Sequence, residues 1–300
     1  MPGSIETLKM RIRDLHETLR PIKVGYARRY PVNPEATLVT AFISLPDGAF
    51  GDGRTAHRYR DWMRSILSIR QYMTVFIEDE NADFVRETRK SFGDMTEIIT
   101  VSKDELSRSA NYRNIQRIIA GRYMEKARRS DRIELREPLY NTIMFSKPEF
   151  VARAIRSNRF KSRYFFWIDA GLGHGMNRRL LYRGLMNRPW PNPEKNHLLN
   201  ETMMVLATRS VTERRDIANI FLMHDAMLAG GLWGGDGETV LKFCEAFRRE
   251  LGWSFENNLL DDDQAIMTAV YLKHPQWFTL VPGRPFLDNR CYILKCLDGP

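Results

Sequence analysis

The sequence predicts an α/β protein built on a largely parallel sheet with helices on both faces. Short apolar runs bounded by turn residues read as buried strands at 38–45 (LVTAFISL), 72–77 (YMTVFI), 96–101 (TEIITV) and 164–168 (YFFWI). Amphipathic stretches separate the first three of them. Residues 55–68 put Tyr59, Trp62, Met63, Ile66 and Leu67 on one helical face, and a second helix is predicted at 82–92. Strands alternating with helices imply βαβ units, hence parallel neighbours. The composition agrees: 300 residues, 43% hydrophobic and 28% charged, suit a globular chain with a real core rather than a disordered or fibrous one.

Taken in order, residues 1–20 carry Ile5, Leu8, Ile12, Leu15 and Leu19 at 3-4-3-4 spacing, an amphipathic helix. Pro21, Pro31 and Pro34 mark the stretch 21–36 as a linker. PDGAFGDGR (46–54) is a glycine-rich loop. The strongly charged region 103–137 reads as helical and mostly solvated. Residues 140–157 form a helix or helix pair. Further strands are expected at 203–208, 226–233 and 278–281, and helices at 238–251 and 262–273. The predicted organisation is an N-terminal helix and linker (1–36) ahead of a single domain (37–300). No run of 18 apolar residues is present, which argues against a transmembrane helix, and the first residues contain no apolar leader core. Three cysteines are too few for a disulfide framework, so a cytoplasmic location is the default expectation. Lys and Arg exceed Asp and Glu by 46 to 37, a net charge of +9. That balance suits an anionic partner, although the basic residues are scattered rather than clustered.

In a parallel sheet the ligand sits at the carboxyl ends of the strands. That directs attention to Phe42–Leu45 at the end of the first strand, to Glu78 and Asp79 after the second, and to Asp169 directly after YFFWI. A carboxylate at the tip of a buried aromatic strand can hold Mg²⁺ or Mn²⁺ through oxygen; a turn or helix-capping Asp is the alternative. His174, five residues on in the same loop, is the best of the lone histidines; His224 and His274 are weaker. Asp169-Ala-Gly-Leu-Gly173-His-Gly175 also fits the first motif of class I methyltransferases, though at least three strands precede it where that motif should follow the first. Lys147, followed by Pro148, lies at a helix start or on a continuous helix, where it could hold an anion or reach solvent. In Gly230-Gly231-Leu-Trp233-Gly-Gly-Asp236, two glycine pairs exceed what a turn requires, and Trp233 could stack on a sugar or base. Asp261-Asp262-Asp263-Gln264 opens a helix. One Asp suffices as a cap, and three repelling carboxylates call for a cation or a hydroxyl in answer.

Together TLVTAFISL with RYRDW behind it, YNTIMFSKPEFVARAI, FFWIDAGLGH and DDDQAIMTAVYLKHPQWFTLV resemble the HtrL/YibB (WlaTC-like) family of bacterial glycosyltransferase-like proteins, over residues 37–282. AGGLWGGDGETVLKFCEAFRREL followed by DDDQ is more distantly similar to the blood-group-type glycosyltransferases. The resemblance implies a GT-A-like, Rossmann-type mixed sheet, mostly parallel and flanked by helices, with a nucleotide-sugar half (37–175) and an acceptor half (176–300). It implies a hexosyltransferase that moves a sugar from a nucleotide-sugar donor, UDP-sugar favoured, to a glycan or glycolipid acceptor, with no nucleic-acid partner. Contact with an anionic membrane surface would suit the net charge. Donor-binding residues would be Thr40, Phe42, Asp79, Lys147, Asp169, Gly230, Gly231, Trp233 and Gln264. Mn²⁺ or Mg²⁺ would sit on Asp169 and His174, because Gly171 stands where the D-x-D motif has its second Asp. Asp262 or Asp263 would act as base or back-face carboxylate. Two other readings stay open: an S-adenosylmethionine-dependent methyltransferase built on 169–175, and a nonenzymatic binding module with a degenerate transferase core.

Overall fold

The computed structural model describes residues 32–45, 55–173, 189–208, 216–282 and 292–298. The predicted helix over 1–20, the loop 46–54 and His174 lie outside them. Seven strands form one mixed sheet: β1 (Ala36–Phe42), β2 (Tyr72–Ile77), β3 (Thr96–Thr100), β4 (Tyr164–Ile168), β5 (Met203–Ala207), β6 (Leu228–Asp236) and β7 (Phe278–Pro282). Their order is β3-β2-β1-β4-β6-β5-β7. β3, β2, β1 and β4 run parallel, as do β5 and β7. β6 is antiparallel to both its neighbours. The two predicted halves therefore share one sheet, joined where β4 pairs with β6. The mixed, mostly parallel sheet flanked by helices is the architecture the sequence implied.

Ten α-helices accompany the sheet among the described residues: α1 (Ala56–Leu67), α2 (Ala82–Arg89), α3 (Lys103–Ser107), α4 (Ala110–Ile119), α5 (Tyr123–Lys126), α6 (Pro138–Ser157), α7 (Ile217–Met223), α8 (Gly237–Glu256), α9 (Asp263–Lys273) and α10 (Tyr292–Cys296). Strand alternation divides the core. Val39, Phe76, Phe165, Trp167 and Trp233 point into one apolar layer with α6, α8 and α9, while Leu38, Phe42, Phe166 and Ile168 point into the other with α1 and α10.

The structure decides or refines the sequence reading in three places. Residues 138–157 are one helix that runs through Pro148, so Lys147 lies mid-helix rather than at an N-terminus. Both glycine pairs lie inside β6: the first falls in the strand expected at 226–233, and the second falls in the same strand rather than in a turn. Close approach explains them: a Cβ on Gly234 (φ +154°) would stand 2.1 Å from the Phe165 carbonyl oxygen, and one on Gly235 2.2 Å from that of Thr202. The region 103–137 is not merely solvated, because Ile115, Ile118, Tyr123 and Leu135 are buried.

Candidate functional site

The carboxyl ends of β1 and β4 open onto a cleft. Its walls come from Ala41 to Leu45, Tyr59 of α1, Tyr140, Ile143, Met144 and Lys147 of α6, and Trp167, Asp169, Ala170 and Gly171. Asp169 is the one carboxylate and Lys147 the one ammonium on that wall among the described residues. Each is placed by simple means. β4 is wholly apolar and central, so the first polar residue after it emerges at the sheet edge. Asp169 is held there by its own N–H, which donates to the Gly231 carbonyl at 2.8 Å. Trp167 Nε1 also donates to its Oδ1 at 2.8 Å.

Lys147 joins Asp169 to the start of α9. Its Nζ donates to Asp263 Oδ2 at 2.8 Å and lies 3.2 Å and 3.3 Å from the two oxygens of Asp169. It also stands 5.9 Å from the Trp167 ring centroid. The side chains of Lys147 and Asp263 are 4% and 5% exposed, whereas that of Asp169 is 29% exposed. Only Asp169 therefore offers oxygen to a ligand. Burial works against the Lys147 charge, but Asp169 and Asp263 outweigh it and hold the ammonium above the ordinary lysine range. Desolvation pushes the Asp169 carboxyl up; Lys147 pulls it back and Asp263 adds to the rise.

Glycine makes this cluster possible. A Cβ on Gly230 would meet Asp263 Oδ2 at 2.4 Å, whereas one on Gly231 would stand in ordinary contact, 3.5 Å from Asp169 Oδ2. Gly230→Ala should displace Asp263 from Lys147 and cost about 1–3 kcal/mol in urea unfolding. Gly252→Ala, in α8 with nothing within 4 Å of the added carbon, should instead stabilise by about 0.5–1 kcal/mol. Equal effects at both positions would refute the crowding argument.

The other two acids of the triplet have separate partners. Asp262 caps α9, accepting from the N–H groups of Gln264 at 3.0 Å and Ala265 at 3.3 Å. It also pairs with Arg132 Nη2 at 2.7 Å. Asp261 pairs with Arg132 and lies 3.0 Å from His224 Nδ1, and Arg132 reaches Glu134 at 3.2 Å. Asn141 Nδ2 ties the Asp261 carbonyl to α6 at 2.9 Å. Asp262 is pushed up to about 7, first by burial and then by the charges of Asp261 and Asp263. Burial opposes the Arg132 charge, but Asp262, Asp261 and Glu134 outweigh it.

Several sequence expectations are corrected here. Thr40 and Trp233 are fully buried and off the cleft wall. Trp233 packs on Phe243 at 5.1 Å, so it cannot stack on a bound ring. Asp79 is exposed beside a separate shallow acidic depression. Its neighbour Glu78 lines the same depression but is buried, accepting from the Ser44 N–H at 2.8 Å and pairing with Lys103 at 2.9 Å. Asp262 and Asp263 do not line the cleft as free reacting groups; they hold a helix cap, Arg132 and Lys147. Gln264 donates to Asp262 at 3.1 Å. Gly173 is explained by packing, since a Cβ there would stand 1.9 Å from the Trp62 carbonyl oxygen; it need not be a cofactor glycine. Sequence reasoning pointed to Glu78 together with Asp79 but missed Arg132 and Tyr140. The one signal for Arg132 was the need of the Asp triplet for a cation.

Two groups of oxygen and nitrogen donors bear on a divalent cation. His224, Asp261 and Asp262 place ligand atoms within 4.8 Å of one another, a group that could hold a metal. Arg132 already bonds all three of these side chains, so a cation is built in. The cleft group differs: Asp169, Asp263 and Lys147 sum to one net negative charge, with one carboxylate partly open. That fits a Mg²⁺-like ion held by one carboxylate together with phosphate oxygens.

A mostly parallel sheet with a carboxylate–lysine–carboxylate cluster at the carboxyl edge of its central strands defines an α/β protein with a charged cleft at the edge where such sheets commonly take their ligands. The chain belongs to the HtrL/YibB family, described as a bacterial protein of unknown function, whose sequence model matches residues 34–293. It is similar to Protein HtrL of Escherichia coli (strain K12), 22% identical over 275 residues that cover 88% of this chain and 94% of that one. Among solved structures it is similar to mouse xyloside xylosyltransferase 1 in its apo form, with 11% identity, 82% of this chain and 84% of that chain covered, and a TM-score of 0.41. No helix among the described residues is long and apolar enough to cross a membrane.

Proposed function

We propose that this protein transfers a sugar from a nucleoside diphosphate donor, UDP-sugar first, to a glycan or glycolipid hydroxyl, with Mn²⁺ or Mg²⁺ held at Asp169. The observation that carries the reading is the Asp169–Lys147–Asp263 cluster on the floor of a cleft walled by Phe42, Tyr59, Tyr140 and Trp167. Aromatic and apolar walls with a few fixed polar groups suit a base and a sugar ring. The charge balance sets the rest. A diphosphate brought alone to a site of net charge −1 would be repelled, and a divalent ion reverses that sign. When bound, that ion would neutralise the negative charge that grows on the departing diphosphate. Asp169 would hold it, Trp167 Nε1 orients the Asp169 carboxylate, and Lys147 adds a fixed positive charge beside the same oxygens. Asp263 acts through Lys147. His174 is kept as a second ligand, and the 37–175 and 176–300 halves as donor and acceptor sides. Cys244, a free and buried thiol, goes with a reducing, cytoplasmic setting.

Calorimetric titration with UDP and GDP, each with and without Mn²⁺, tests the reading. Saturable binding of one of them in the presence of Mn²⁺ is expected. Absence of binding under all four conditions rejects it.

A further inference from the structure

We infer that Lys147 separates the two carboxylates of the cleft into different tasks, so that a divalent cation binds this protein only together with a diphosphate. The inference rests on the donor reading above and adds the order of assembly. Asp263 is consumed by Lys147 at 2.8 Å, is buried, and lies hard against Gly230, where there is not even room for a Cβ. It cannot swing to a second cation without leaving the lysine. Asp169 has one oxygen taken by Trp167 Nε1 at 2.8 Å, and both its oxygens face Lys147 within 3.3 Å. The described wall thus gives a divalent ion one partly free carboxylate, Asp263 behind it brings the cluster to a net charge of −1, and His174 as proposed above would add only one nitrogen. A hard cation that wants six or more oxygens is held weakly by that set.

A diphosphate changes the balance by adding oxygens and negative charge of its own. Ion and nucleotide then assist each other, and by linkage each raises the affinity of the other by the same factor. Lys147 is a positioning residue in this scheme. With Lys147 gone, Asp169 and Asp263 would face each other without a cation between them. The protein would then supply two carboxylates and could take up the ion unaided.

The test counts free Mn²⁺ by electron paramagnetic resonance on the full chain. Wild type is expected to bind no Mn²⁺ at submillimolar concentration by itself. With saturating UDP or GDP it should bind one ion per chain, a gain of at least about tenfold in affinity. Lys147→Ala should bind Mn²⁺ without nucleotide and lose that binding when Asp169→Asn is added. Stoichiometric Mn²⁺ uptake by wild type without nucleotide, equal to that with it, overturns the inference while leaving the donor reading in place. Failure of folded Lys147→Ala to gain metal overturns it as well. Lys147→Met, closer in volume, serves the same arm should the alanine variant not fold. If neither nucleotide binds with or without Mn²⁺, the donor reading itself fails, and this inference with it.

Discussion

Asp169→Asn is expected to leave the protein folded and to lower sugar transfer by about 10²–10³-fold, the scale seen when one preorganised electrostatic group is removed. The substitution keeps the shape of the side chain. It also keeps an oxygen for Trp167 Nε1, which donates at 2.8 Å, and Lys147 retains Asp263 at 2.8 Å. What is lost is the one partly open negative charge on the cleft wall. Thermal melting should therefore move little, within the roughly 1 kcal/mol typical of a change that buries no new unpaired charge. Mn²⁺-dependent nucleotide binding should disappear in the same calorimetric titration that detects it in wild type. A folded Asp169→Asn variant with wild-type transfer would remove Asp169 from the reaction and take the proposed centre with it.

The largest stability effect is expected at Arg132. Its side chain is 11% exposed, and it pairs with Asp261, with Asp262 at 2.7 Å and with Glu134 at 3.2 Å. Arg132→Met leaves three carboxylates facing one another, two of them buried at the first turn of α9. Removing one partner of a buried ion pair costs about 3–5 kcal/mol. Arg132→Lys should fall between, because an ammonium cannot fork to several carboxylates at once. Urea unfolding of the full chain measures both. Asp261→Asn combined with Arg132→Met should lose less than the sum of the single losses, since each removes part of the same network. Additive losses would show that the network is not coupled. The α9 start would then owe its order to the Asp262 cap alone.

The elements themselves were legible in the chain. YFFWI and YMTVFI are too short and too apolar to be anything but buried strands, and Tyr59, Trp62, Met63 and Ile66 announce α1 by their spacing. Asp169 could be singled out for the same reason, because a polar residue that ends a central apolar strand must emerge at the ligand edge. The glycine pairs were visible, the first within the expected strand 226–233, but the reason for them was not. Gly234 and Gly235 answer a close approach to Phe165 and Thr202 across neighbouring strands, Gly230 answers Asp263, and such partners leave no local signature. Trp233 illustrates the same gap. Aromatic residues beside glycines look like a binding platform until the strand turns the ring inward onto Phe243. Arg132 sat in a region so rich in charge that nothing distinguished it from its solvated neighbours.

By itself, then, the sequence determined the period-2 and period-3.6 segments, the alternation that makes the sheet mostly parallel, and the carboxylate that tips β4. Backbone geometry and local burial act over a few residues, so their pattern is written along the chain. Only the tertiary structure decided which cation answers which acid. Lys147 and Asp263 are 116 residues apart, and Arg132 and Asp262 are 130 apart. The attraction between such charges depends on distance in space and on the water excluded between them, neither of which exists until the sheet has closed around them.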